Sequence, residues 1–205
     1  MRIGINPEKS KGERNLKKQH RVVVVFYIPN QEEEYYKESL LVLDTCLNSL
    51  VNTINFDTTN ITLINNNSFS LVNPIIQKYI NAGQIDKYVS YNENRGKVYA
   101  VINEVRGVFE DFVTITDCDV LFFSGWEQAV FDVFSQYPKA GVVSPLPSQH
   151  CAFYNNVSAF FDNYFLGKIK YAKLVNDFDT DLYLKGVNNK DLINKKGKFN
   201  WKEKQ

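Results

Sequence analysis

The sequence predicts an α/β fold built on a mainly parallel sheet with helices on both faces. Three observations lead there. From Arg21 to Ile28 the chain is almost entirely β-branched and aromatic, the pattern of a strand buried on both faces. Strand-like and helix-like segments then alternate with short turns, which implies parallel strands joined by right-handed crossovers. The fourth strand-like run ends in Asp117-Cys118-Asp119. That places two carboxylates at a carboxyl-end rim, where open α/β sheets hold their ligands.

Each element has a local reason. Pro29-Asn30 stops the first strand. Tyr36 to Val51 carries Leu40, Leu41, Leu43, Leu47 and Leu50 at helical spacing, so it reads as the first helix. Ile61 to Ile64 is a second strand closed by the polar cluster Asn65-Asn66-Asn67-Ser68. Leu71 to Ala82 reads as a helix with Pro74 in its first turn and Gly83 as its stop. Ile85 to Tyr91 is a third strand, and Gly96 to Phe109 a third helix with Val98, Val101, Ile102, Val105 and Val108. Phe112 to Thr116 is the fourth strand, read as buried; Trp126 to Phe134 is helical; Gly141 to Ser144 is a fifth strand before Pro145.

Composition bounds the function. A chain of 205 residues, 44% hydrophobic and 14% aromatic, supports a substantial core; at this size roughly 70% of the unfolded surface is buried. A formal net charge of +1 argues against general nucleic-acid binding. Basic residues cluster in Lys9 to Arg21 and Lys185 to Lys204, runs that read as solvated tails. Cys46, Cys118 and Cys151 show neither metal-ligand spacing nor a disulfide framework, which fits a reducing cytosol. The longest apolar stretch, Val22 to Ile28, is too short to span a bilayer. The expected organisation is a polar lead-in over residues 1–20, an α/β half over 21–145, and an acceptor-side segment with a basic tail over 146–205, all in one cytoplasmic domain.

Two like charges one residue apart repel unless a cation or proton lies between them. If the extended backbone persists, Asp117 and Asp119 share one face; if the chain turns, they can still converge on one ion. Mg²⁺ or Mn²⁺ takes oxygen ligands and bridges carboxylates to phosphates. The plainer alternative is a strand-end turn with two solvated aspartates. Cys118, between them, is a poor nucleophile because neighbouring negative charge disfavours its thiolate.

In order, these parts resemble the nucleotide-sugar half of a GT-A glycosyltransferase, Rossmann-like in fold, and in particular the large inverting family 2. The first strand runs into Pro29-Asn30, and the second ends at Asn65-Asn66. Asn94-Arg95-Gly96 with Ala100 and Asn103 resembles the family's Asn-x-Gly segment, and Asp117-Cys118-Asp119 its metal-binding Asp-x-Asp, with Phe123-Ser124-Gly125-Trp126 as the turn that follows. Phe178-Asp179-Thr180-Asp181-Leu182 is similar to the stretch that supplies the catalytic base. The pattern departs at Asn65-Asn66, where the family usually has an Asp for the nucleobase, and at Phe178, where Glu is usual.

The resemblance implies a metal-dependent transferase for a nucleotide-diphosphate sugar, a UDP-sugar, acting on a glycan or lipid-linked acceptor in bacterial surface polysaccharide synthesis. It implies Mn²⁺ or Mg²⁺ held by Asp117 and Asp119, and donor contacts at Pro29, Asn30, Asn65, Asn66, Asn94, Gly96 and Asp117. It implies a base at Asp179, with Asp181 and Asp177 as alternates; equally, Asp179 or Thr180 could cap a helix over Asp181 to Lys185. Peripheral association with the inner face of a membrane is compatible with such an acceptor. Lys97 opens the third helix and reads as a solvated lysine before a phosphate contact. Trp126 reads as a core anchor, His150 as structural or exposed, and the aromatic run Phe153 to Phe165 as core or acceptor lining. Two other readings are a catalytically inactive nucleotide-sugar binder and, ranked lower, a haloacid-dehalogenase-type phosphatase, whose Asp-x-Asp belongs on a first strand.

Overall fold

The structure, a computed structural model, describes residues 4, 18–144, 164, 177–186 and 188, with residues 179 and 180 as backbone only. The chain divides into two compact units, Met1–Ala140 and Gly141–Gln205. In the first, the elements in order are β1 (His20–Phe26), α1 (Ser39–Val51), β2 (Thr59–Asn65), α2 (Asn73–Asn81), β3 (Lys87–Ser90), α3 (Lys97–Val105), β4 (Phe112–Asp117) and α4 (Trp126–Gln136). The second contains α5 (Asp177–Gly186).

The sheet is wholly parallel, in the order β3-β2-β1-β4. The chain winds outward from β1 to β3 and then returns to β4 on the other side of β1. The winding direction therefore reverses between β1 and β4, and their carboxyl ends flank the switch-point crevice. Register sets Val25 beside Asp117 and Phe26 beside Asn65.

Strand alternation divides β1 between two layers. Val22, Val24 and Phe26 pack with Leu43, Leu47 and Leu50 of α1 and Ile76 and Tyr79 of α2. Val23 and Val25 pack with Ile64 and with Ala100 and Val101 of α3. All seven residues of β1 are buried: Val22 to Phe26 as the apolar run predicts, and His20 and Arg21 as polar groups buried with them.

Several boundaries differ from the sequence reading. Residues Glu34–Tyr36 form a 3-10 turn, and α1 starts only at Ser39. Helix α3 stops at Val105, short of Phe109, with Gly107 just beyond it. Strand β4 is not buried throughout: Val113 and Ile115 are exposed, since β4 is an edge of the described sheet. Gly141 to Ser144 forms no strand, because β propensity supplies no ladder partner and a strand exists through its ladder. Arg21, read as part of a basic tail, is buried.

The amino ends of the strands hold two polar clusters. Arg21 donates from Nε and Nη2 to Glu110 Oε1 (2.9 and 2.5 Å) and from Nη1 to Asp86 (2.8 Å) and Thr62 (2.8 Å). Glu127 Oε1 meets His20 Nδ1 at 2.7 Å and accepts from Thr59 Oγ1 at 2.5 Å, and its Oε2 accepts the Asn55 N–H. Burial pushes the Glu127 carboxyl up, but its bonds from His20, Thr59 and Asn55 win and hold it below the usual carboxylate value of 4.5. Glu110 is held below 4.5 in the same way, burial being outweighed by Arg21 and Asn60.

Acid should therefore destabilise the fold. Because both folded-state values are depressed, the unfolded chain binds more protons in acid. The stabilisation is complete above about pH 4.5 and drains away as the pH falls below it. Thermal melts from pH 7 to pH 3 should show a steady fall in Tm beginning near pH 4.5. A Tm independent of pH over that range contradicts the assignment.

Candidate active site

A cleft of about 640 Å³ opens at the carboxyl ends of β1 and β4. Its walls come from four stretches: Val25 to Ile28, the Tyr35 to Val42 approach into α1, the Asn66–Asn94–Lys97 corner, and Asp117 to Asp119.

Local chemistry shapes each wall. Strand β4 ends at Asp117, and Cys118 and Asp119 form a turn, so the extended geometry does not persist through Asp119. Both carboxylates nevertheless line the one cleft. Cys118 packs against the core, with Cys46 Sγ 3.8 Å from the Asp117 carbonyl. Burial, with the neighbouring carboxylates adding to it, pushes the Cys46 thiol up to about 11 and the Cys118 thiol to about 12. Neither is a nucleophile near neutral pH. Beyond the turn, the Phe122 N–H donates to Ser49 Oγ (3.0 Å) and Trp126 Nε1 to Thr53 Oγ1 (3.1 Å), pinning the loop to α1 and to the turn that follows it. Trp126 is the core anchor its position suggests, and Gly125 before it takes φ +87, a value that only glycine adopts readily.

The asparagines separate into two roles. Asn65 is buried and does not line the cleft: it donates to the Tyr88 hydroxyl (3.1 Å) and accepts the Ser68 N–H (2.7 Å). Asn66 does line it. Asn66 Nδ2 donates to Asn94 Oδ1 (2.8 Å), and its Oδ1 accepts the Arg95 N–H (3.1 Å). Asn94 Oδ1 also accepts the Gly96 N–H (2.9 Å). This small network sets Gly96 at φ +79 as the N-cap of α3, with no side-chain cap on the helix. Among the described residues the first-turn N–H groups therefore have no side-chain cap, the arrangement that favours anions. Lys97, next along, forms an ion pair with Asp117 Oδ1 across the cleft. The lysine read as solvated has a partner at the site itself.

Pro29 and Asn30 shape the loop and do not line the cleft. Asn30 Oδ1 accepts the N–H groups of Glu32 (3.0 Å) and Glu33 (3.1 Å). That turn delivers Tyr35, Tyr36, Glu38 and Ser39 to the cleft wall. Sequence reading missed these four, and Tyr27 as well. A tyrosine pair just ahead of a helix after the first strand was the available signal.

Asp179 and Asp181 lie on α5, in the second unit. The helix runs from Asp177, so Asp179 and Thr180 sit inside it and neither is its N-cap. Asp177 and Asp181, four residues apart, share a helix face. His150 and the aromatic run, apart from an exposed Tyr164, lie outside the described residues.

A family model described as glycosyl transferase family 2 matches residues 34–185. The chain belongs to glycosyl transferase family 2. Membership agrees with the resemblance read from the motif series and replaces the phosphatase alternative. This family-2 chain is also similar to two solved structures. One is a mannosyltransferase, PcManGT from Pyrobaculum calidifontis, in complex with GDP-Man and Mn²⁺: 16% identity, TM-score 0.46, covering 63% of this chain and 34% of that one. The other is residues 1–349 of TarS from S. aureus in complex with UDP: 16% identity, TM-score 0.47, covering 62% of this chain and 38% of that one. The family-2 chain thus spans little more than a third of the length of either. No curated protein matches it. Among the described residues no helix is long and apolar enough to cross a membrane.

Proposed function

We infer that this chain binds a nucleotide-diphosphate sugar, UDP-linked, and transfers the sugar to a glycan or lipid-linked acceptor in surface polysaccharide synthesis. One observation carries the reading: Asp117 and Asp119 line a single cleft at the sheet's switch point, together with the uncapped start of α3.

The residues present suit a divalent metal. Among the described residues no cluster of three His, Cys, Asp or Glu could hold an ion without help. Two carboxylate side chains are what Mg²⁺ or Mn²⁺ uses when substrate phosphates and water complete its shell. Asp117 and Asp119 would hold it, and when bound it neutralises charge on the departing diphosphate. The chain's own groups do the rest. The Asn66–Asn94–Gly96 network holds the amino end of α3 open towards an anion. Tyr27, Tyr35 and Tyr36 add to the cleft lining aromatic side chains of the kind that stack on a nucleobase.

The acceptor hydroxyl must lose a proton as it attacks, and a carboxylate accepting it contributes on the order of 10² to 10⁴ in rate. Asp179 is assigned that role on the family pattern, with Asp181 and Asp177 as alternates. A binder without catalysis is the second reading, favoured by Asn66. Where the family usually offers a carboxylate to the base, both groups of this amide are engaged by Asn94 and Arg95.

Melting the protein with UDP tests the site. At 100 times Kd a ligand adds about 2.7 kcal/mol of stability, enough to raise Tm by several degrees in a domain of this size. The rise should be large with Mn²⁺ and small in EDTA. No rise in either condition sinks the reading. Hydrolysis of UDP-sugar then separates a transferase from a binder.

A further inference from the structure

We propose that Lys97 is a resident counter-ion of the metal site, holding Asp117 until a diphosphate arrives to take the lysine away. The inference rests on the nucleotide-sugar reading above and adds the order in which the site fills.

The argument starts from the ion pair between Lys97 Nζ and Asp117 Oδ1. Asp117 and Asp119 repel each other when no cation is near, and Lys97 supplies that cation from within the chain. The two side chains are 55% and 49% exposed. A pair so well solvated holds by a factor of only about two to five, so it can be exchanged. No other hydrogen-bond or ion-pair partner of the Lys97 ammonium is present among the described residues, so its tether is this one carboxylate.

A divalent ion and Lys97 then compete for the same oxygen. Metal arriving alone must displace the ammonium and leave it unpaired beside a second positive charge. A diphosphate changes the balance. Lys97 begins α3, whose N-terminal N–H groups have no side-chain cap, so an anion seated there lies next to the lysine. The lysine can move from carboxylate to phosphate, and Asp117 is released to the metal. Metal and nucleotide should therefore bind with positive coupling, each tightening the other by the same factor.

Calorimetric titration of the whole chain tests this, with Lys97→Met and Lys97→Arg beside wild type. Removing the competing charge should tighten binding of Mn²⁺ alone by about three- to tenfold, while UDP in EDTA should bind more weakly. Lys97→Arg, which keeps the charge, should keep the wild-type pattern. A purely structural role would shift both affinities in the same direction. If wild type binds UDP with Mn²⁺ but Lys97→Met binds Mn²⁺ no tighter, the counter-ion role is overturned and the nucleotide site stands. If wild type binds no UDP even with Mn²⁺, the nucleotide site itself is wrong and this role falls with it.

Discussion

Asp119→Ala is expected to abolish the Mn²⁺-dependent rise in Tm with UDP and to cut UDP-sugar turnover by at least 10²- to 10³-fold. Removing one electrostatic group aimed at developing charge typically costs that much. Asp119 is exposed on a turn and belongs to neither buried cluster. Its loss should thus leave the ligand-free protein within about 0.5 kcal/mol of wild type, as surface substitutions do. Asp119→Asn preserves shape and removes charge, and should fail equally. A variant that still shows the Mn²⁺-dependent shift rules out Asp119 as a metal ligand. Asp117→Ala is a less clean experiment, because it also strips Lys97 of its partner.

The largest loss of stability should come from the other end of the sheet. Arg21→Ala leaves the Glu110 carboxylate, whose side chain is 0% exposed, without its cation. Breaking a buried pair on one side costs about 3–5 kcal/mol, since the remaining charge is stranded. That is a large fraction of the roughly 5–15 kcal/mol that keeps a domain folded. Asp86 and Thr62 lose a donor at the same time. Arg21→Lys keeps a charge but not the fork, and should fall between wild type and Arg21→Ala. Urea unfolding followed by circular dichroism measures both; a cost below 1 kcal/mol for Arg21→Ala shows that Glu110 finds other compensation. The site should be intact in whatever fraction remains folded, because Arg21 lies at the amino end of β1 and the cleft at its carboxyl end.

Element order was readable because each element announces itself within a few residues. The leucine spacing of α1, the valines of β1 and the Gly96 before α3 are local signals, and all three elements exist. Gly141 to Ser144 shows where such signals stop: its composition suits a strand, but pairing depends on a partner elsewhere in the chain. The same limit appears at Asn65 and Asn66. Adjacent and identical in type, they read alike, yet one braces Tyr88 beneath the rim and the other faces the cleft. Asn65 is the last residue of β2 and Asn66 the first of the bend beyond it, and which of the two meets the cleft depends on what packs around that bend.

By themselves, the residues in order determined an alternating α/β chain and a pair of acids at the end of its fourth strand. Hydrophobic period and turn chemistry act over short stretches of chain, so they survive in one dimension. Only the tertiary structure decided that Lys97 meets Asp117, that Tyr35 and Tyr36 face the same cleft, and that Arg21 is a buried partner of Glu110, 89 positions away. Those facts are distances between remote segments, and folding creates them by bringing the four strands into one register.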